Sequence, residues 1–151
     1  MHTRISRGFF GVGIYSSKTE LNVSNLFRSA LAFQADFLYV IGTRYKQRKA
    51  DTCKAPKHIP LYHYKGFDDF YDHLPNNCKL VSVECGDDIQ SFNLRNYCHP
   101  ERACYLLGAE DFGVPHEYLD RSHSIIHIET RVCLNVATTG AIIMYDRSIK
   151  K

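Results

Sequence analysis

The chain has no run of 18 apolar residues, so it offers nothing long enough to span a bilayer as a helix. Its opening, Met1-His2-Thr3-Arg4-Ile5-Ser6-Arg7, leads straight into a strand-like segment without an apolar h-region or cleavage site. Export by that route is not expected, and a cytoplasmic location is. The six cysteines, Cys53, Cys78, Cys85, Cys98, Cys104 and Cys133, include no Cys-x-x-Cys pair. That spacing supports neither a zinc knuckle nor a disulfide framework, and free thiols are the expectation. His123 and His127 share one face of a strand-like segment, which sets them about 13 Å apart, too far for one zinc ion. No metal partner is expected. Repeats, low-complexity tracts and linkers are also lacking. A second core would need roughly 100 more residues, so residues 1–151 are read as a single domain.

What is present is a globular composition, 44% apolar, 13% aromatic and 23% charged. A chain of this size buries about two-thirds of its unfolded surface, enough for a core without staples. The net charge is only +3, but it is unevenly placed. Between Arg44 and Lys57 six bases (Arg44, Lys46, Arg48, Lys49, Lys54, Lys57) face one acid, Asp51, a local excess of +5. Such a stretch is either a solvated loop or a contact for a polyanion.

Strand and helix patterns alternate along the chain. Phe9–Tyr15 is a β-rich run with glycines at 11 and 13. Val23, Leu26, Phe27, Ala30 and Leu31 follow a helical period that Asn22 is placed to cap. "DFLYVIG" predicts a second strand, "IPLYHY" a short third, and "GFDDFYDHL" a short helix. Lys79–Cys85 and Ala103–Gly108 are continuous apolar runs, as in strands covered on both faces. "SIIHIE" predicts another strand. A last helix over 134–149 carries small residues (Ala137, Thr138, Gly140, Ala141) that allow close packing. The order predicts an α/β domain with a mostly parallel sheet and helices on both faces. Ligands in such sheets sit beyond the carboxyl ends of strands. That rule selects Glu84–Asp87, Gly108–Pro115 and Glu129–Asn135. The Gly11-x-Gly13 pair lies inside a strand, so it is no dinucleotide fingerprint.

Three segments, in order, carry a resemblance. "NVSNLFRSA" (22–30) is similar to Asn-x-Gly-Asn-x-x-Arg-x-Ala, with Ser24 where glycine is usual. "YLLGAEDFGVP" (105–115) resembles an apolar strand followed by Gly-x-Glu-x-x-Gly. "IHIETRVCLNVATTGAIIMYDR" (126–147) is similar to a strand, a tight loop, Ser-Leu-Asn-Val and a closing helix, with Cys133 in place of serine. Together they resemble the SpoU–TrmH family of SPOUT RNA ribose methyltransferases.

The resemblance implies a carboxyl-terminal deep trefoil knot, which sequence rules alone would exclude. It also implies an S-adenosylmethionine pocket, a homodimer whose site is completed across the interface, and a structured RNA substrate, tRNA or rRNA. The reaction is methylation of a ribose 2′-hydroxyl, which needs in-line positioning and help in losing a proton. Arg28, Glu110 and Asn135 are the catalytic candidates. A guanidinium makes a poor base, so Arg28 is read as a phosphate grip that lowers the hydroxyl pKa by its charge. Glu110 is read as orienting Arg28 or Asn135. From the residues alone, Arg28 reads as a solvent-facing helix arginine, Glu110 as a loop acid and Asn135 as an N-cap; the motifs reverse this for Arg28.

Cofactor contacts are expected from Glu84, Leu107, Gly108, Ala109, Gly113, Ile126, Ile128, Cys133 and Leu134, with Gly113 there for its backbone freedom. RNA contacts are expected from Asn22, Arg44, Lys46, Arg48 and Lys49. The thiol of Cys133 is a weaker hydrogen-bond partner than a hydroxyl. With Ser24, it motivates an alternative, a non-catalytic RNA-binding relative of the same fold. A generic nucleotide-binding α/β enzyme is the third reading.

Overall fold

The structure is a computed structural model that describes residues 8–42 and 54–150. Arg44, Lys46, Arg48 and Lys49 therefore lie outside the described residues. The chain forms β1 (Phe9–Tyr15), α1 (Glu20–Ala32), β2 (Phe37–Ile41), β3 (Leu61–Tyr64), α2 (Phe67–Asp72), β4 (Lys79–Val83), β5 (Phe92–Asn93), β6 (Arg102–Leu107), α3 (His116–Asp120), β7 (Ser124–His127) and α4 (Val136–Ile149).

All seven strands join one parallel sheet in the order β3-β2-β1-β6-β4-β7-β5. The predicted α/β class is confirmed, and the apolar runs have their expected cause. β2 is buried at every position, and β6 at every position after Arg102. Such strands need cover on both faces. On one face α1 and α4 enclose Val12, Ile14, Leu26, Phe27, Tyr105, Leu107 and Ile143. On the other, α2 and α3 enclose Phe37, Tyr39, Phe70, Leu106, Tyr118 and Leu119. Each such side chain contributes about 1.5–3 kcal/mol by leaving water.

The glycines of β1 have a packing role. A Cβ on Gly11 would lie 2.2 Å from the Phe37 ring, and one on Gly13 2.2 Å from the Tyr39 ring. The rings of β2 occupy the space that side chains on β1 would take. Gly140 acts similarly between helices, since a Cβ there would meet Leu26 Cδ1 at 2.3 Å. The small-residue start of α4 thus brings it down onto α1.

Two boundaries differ from expectation. α1 begins after an extended Thr19, so Asn22 stands in its first turn rather than at the cap. Its amide is thereby released for long-range bonds. α4 begins at Val136, with Asn135 as its N-cap, accepting from Ala137 N at 2.9 Å and Thr138 N at 3.2 Å. The two-residue β5 and five-residue α3 were not anticipated. No helix among the described residues is long and apolar enough to cross a membrane.

Candidate active site

Because every strand runs the same way, the ends of β1, β4, β6 and β7 open on one edge of the sheet. Between them and the first turns of α1 and α4 lies an open cavity of about 940 Å³. Its walls include residues from each of the three stretches selected by the strand-end rule.

The loop after β6 turns tightly. Ala109 and Gly113 exchange backbone hydrogen bonds, Gly113 N to Ala109 O at 2.8 Å and Ala109 N to Gly113 O at 3.2 Å. Gly113 has φ +66, a conformation open to glycine at little cost. Space is equally restrictive, since a Cβ on Gly108 would meet Gly113 and Val114 backbone atoms at 2.3–2.6 Å. Glu84, just past β4, braces this turn. Its Oε2 accepts from Val114 N at 2.7 Å and its Oε1 from Cys85 N at 3.0 Å.

At the tip of the turn, Glu110 links the motifs. Oε1 accepts from Ser17 Oγ and Asn22 Nδ2, each at 2.8 Å, and Oε2 from Lys18 N at 2.8 Å. Partial burial pushes this carboxyl up. The hydrogen bonds from Asn22, the Lys18 amide, its own amide and Ser17 outweigh that and bring its pKa down to about 2. A carboxylate so stabilised is a weak base, which makes it a poor acceptor for a ribose proton. It is suited to holding other groups in place. Asn22 passes the connection on, its Oδ1 accepting from Asn135 Nδ2 at 2.8 Å. One Asn135 side chain thus caps α4 through Oδ1 and reaches α1 through Nδ2.

The expected residues divide clearly. Glu84, Leu107, Gly108, Ala109, Gly113, Ile128, Cys133 and Leu134 line the cavity, as do Glu110, Asn135 and Asn22. Ile126 does not; it is 1% exposed in the core beneath the cavity floor. Arg28 is exposed on α1, outside the cavity wall. Glu110 is linked to Asn135 through Asn22, while no bond between Glu110 and Arg28 is among those of the described residues. Ser17 and Lys18 were missed. They stand beyond the end of β1, where the same strand-end rule applies. His127, also in the wall, bonds Ser91 Oγ through Nδ1 at 2.8 Å. Among the described residues no cluster of three His, Cys, Asp or Glu side chains is placed to hold a metal ion.

The profile of the SpoU rRNA Methylase family matches residues 10–145. Several solved structures share the fold. One, from a study of "2-OH methylation of C/U34 on tRNA", superposes with a TM-score of 0.79 at 20% identity, covering 93% of this chain and 95% of that one. An SpoU methyltransferase from Streptomyces viridochromogenes in complex with AdoMet gives 0.82 at 17%, covering 93% and 57%. A TrmH/SpoU tRNA modifying enzyme from A. aeolicus gives 0.79 at 21%, covering 92% and 73%. The chain thus spans nearly all of the first and little over half of the second. No protein of curated function matches this chain in sequence.

Proposed function

Since this chain belongs to the SpoU rRNA methylase family, we propose that it is an S-adenosylmethionine-dependent RNA methyltransferase acting on a ribose 2′-hydroxyl of tRNA or rRNA. The observation that carries this reading is the convergence of three distant segments on one cavity, tied by the Glu110–Asn22–Asn135 chain.

The cavity suits the cofactor. Its size falls within the range of small-molecule sites, and it joins apolar walls (Leu107, Ile128, Leu134, Val136) to the backbone of the 108–114 turn. Gly108, Ala109, Ile128, Cys133 and Leu134 would hold the adenosine, with Glu84 and Gly113 shaping the turn and Ile126 supporting the floor. The bound cofactor supplies a methyl group on a sulfonium, ready for in-line displacement. Asn135, fixed at both ends of its amide, would keep the first turn of α4 and the edge of α1 in place around the bound cofactor. Good positioning alone is worth about 7–11 kcal/mol.

Arg28 grips a phosphate next to the target ribose and favours the ionised hydroxyl by its charge. Its place outside the cavity wall supports the homodimer, in which it serves a site completed across the interface. The exposed Leu21, Val132 and Leu134 near the cavity mouth support the same arrangement. The deep knot belongs to this reading. In its support, the segment after β7 lines the same cavity as the ends of β4 and β6, and α4 packs on α1. Arg44, Lys46, Arg48 and Lys49 supply further phosphate contacts, and Asn22 serves RNA by holding the site edge in shape.

Calorimetric titration with S-adenosylmethionine or its demethylated product tests the pocket, and ribose-methylated nucleosides in RNA from cells with and without the protein identify the target. Binding of the cofactor together with loss of methyl transfer in Arg28→Ala is expected. An absence of binding at millimolar cofactor overturns the reading.

A further inference from the structure

Lys18 and Phe112 share the wall of the cavity, on two segments that are joined twice. Just beyond β1, Lys18 N donates to Glu110 Oε2 and Ser17 Oγ to Glu110 Oε1, each at 2.8 Å. The same segments meet again through their rings. Tyr15 and Phe112 form an edge-to-face pair, with centroids 5.9 Å apart and planes at 72°. Tyr15 packs in turn on Tyr118 at 4.8 Å, and the buried Tyr118 stacks on Phe67 at 4.0 Å. An aromatic column thus runs from the core to the tip of the 108–114 turn, and it ends at Phe112, which is 55% exposed. The cofactor reading uses neither Lys18 nor Phe112.

Their chemistry is that of a nucleotide site. Among the described residues of the wall, Lys18 is the only lysine or arginine, and it stands with the carboxylates of Glu84, Glu110 and Asp111. Glu110 keeps its charge down to about pH 2, so this rim repels a phosphate unless a cation answers it. Lys18 is that cation, an exposed ammonium on a backbone fixed by Glu110. The ring beside it, held by the column and more than half exposed, suits a flat partner, and every nucleobase has a π face. A subunit contact centred on Phe112 would bury the charges of Lys18, Glu110 and Asp111 with it, which interface cores avoid. A nucleotide answers the ring and the ammonium together.

We infer that Lys18 and Phe112 hold an unpaired nucleotide of the RNA at the rim of the cavity, Lys18 pairing with a phosphate and Phe112 stacking on a base. The inference rests on the methyltransferase reading and adds the form in which the RNA is presented. A base inside a duplex has both faces covered by its neighbours, so the stacked base comes from a loop or a bulge.

The test titrates the full-length protein, with S-adenosylhomocysteine present, against two fluorescein-labelled probes: an RNA hairpin with an unpaired loop and a blunt RNA duplex of equal length. The hairpin should bind about tenfold more tightly than the duplex; Phe112→Leu should remove that preference and Phe112→Trp should keep it. Lys18→Ala should reduce the slope of log affinity on log salt by about 0.7, and Lys18→Arg should restore it. Ultraviolet crosslinking and peptide mapping should attach a loop nucleotide to Phe112. Equal affinity for the two probes overturns the inference, as does a hairpin preference that survives Phe112→Leu. A Phe112→Leu variant that loses S-adenosylhomocysteine as strongly as RNA assigns the ring to the cofactor, and one with altered sedimentation assigns it to a subunit contact; either result overturns the inference. If the wild-type protein binds no S-adenosylhomocysteine, the cofactor reading fails alone, because the hairpin preference and the crosslink still decide the nucleotide site.

Discussion

The two ends of α4 are both held by polar networks, yet the networks differ in kind. At the amino end, Asn135, Asn22 and Glu110 are bonded to one another beside an open cavity. At the carboxyl end, Arg147 is 4% exposed and donates to Pro100 O at 2.7 Å, Glu101 O at 2.9 Å and Tyr105 Oη at 3.1 Å. Tyr105 Oη in turn lies 2.6 Å from His99 Nδ1, and His99 Nε2 lies 2.9 Å from Asp146 Oδ2. Lys150 closes the cluster through Asp146, at 2.7 Å. The cavity at the amino end does not reach this second group. A buried network beside packed side chains fastens the helix, whereas an exposed one beside empty space is arranged for something that arrives.

The comparison is tested first by its largest expected effect. Arg147→Met should destabilise the fold by about 3–5 kcal/mol, because it strands the buried acceptors Pro100 O, Glu101 O and Tyr105 Oη. Denaturant titration measures this, and a loss below 1 kcal/mol would contradict a fastening role. Glu110→Gln should shift the balance, lowering methyl transfer about 10²-fold, or about 2.7 kcal/mol in the barrier, while costing less stability than Arg147→Met. Asn135→Ala should cost about 1 kcal/mol of stability through the lost cap. Asn135→Asp should keep the cap but lose the donor to Asn22, recovering stability without activity.

The smallest effect is the dependence on pH. Burial lowers the His99 pKa below its usual 6.5, against the pull of Asp146. The folded state then holds the neutral ring, donating from Nε2 to Asp146 and accepting at Nδ1 from Tyr105. Stability from this group is complete above about pH 6.5 and is lost as pH falls through its folded value. A pH series of unfolding free energies should slope less on the acid side in His99→Gln. Glu110 works in a separate window. Its contribution holds above the ordinary carboxylate range and disappears only as pH falls towards about 2.

Long elements were legible because each carries its own periodicity. β2, β6 and α1 bury nearly every apolar position that their patterns select. β5 and α3 are too short for a period to emerge, and they exist because neighbours supply a partner strand and an apolar face. Within the site, Glu110 and Asn135 were found through motifs, since a lone loop acid and a helix cap have no signature of their own. The bond from Asn22 to both is another matter. It depends on α1 starting at Glu20, which leaves the Asn22 amide free of capping, and on residues 88 and 113 positions away. No local pattern encodes such a distance.

The brace from Glu84 to the Val114 amide, set over a glycine already in its left-handed conformation, bears on how tightly a ligand can be held. A loop that must be ordered on binding lowers affinity by about 0.5–1.5 kcal/mol for each side chain immobilised. Here the turn is ordered by the protein's own carboxylate before any ligand enters. Association at this wall therefore expends little conformational entropy.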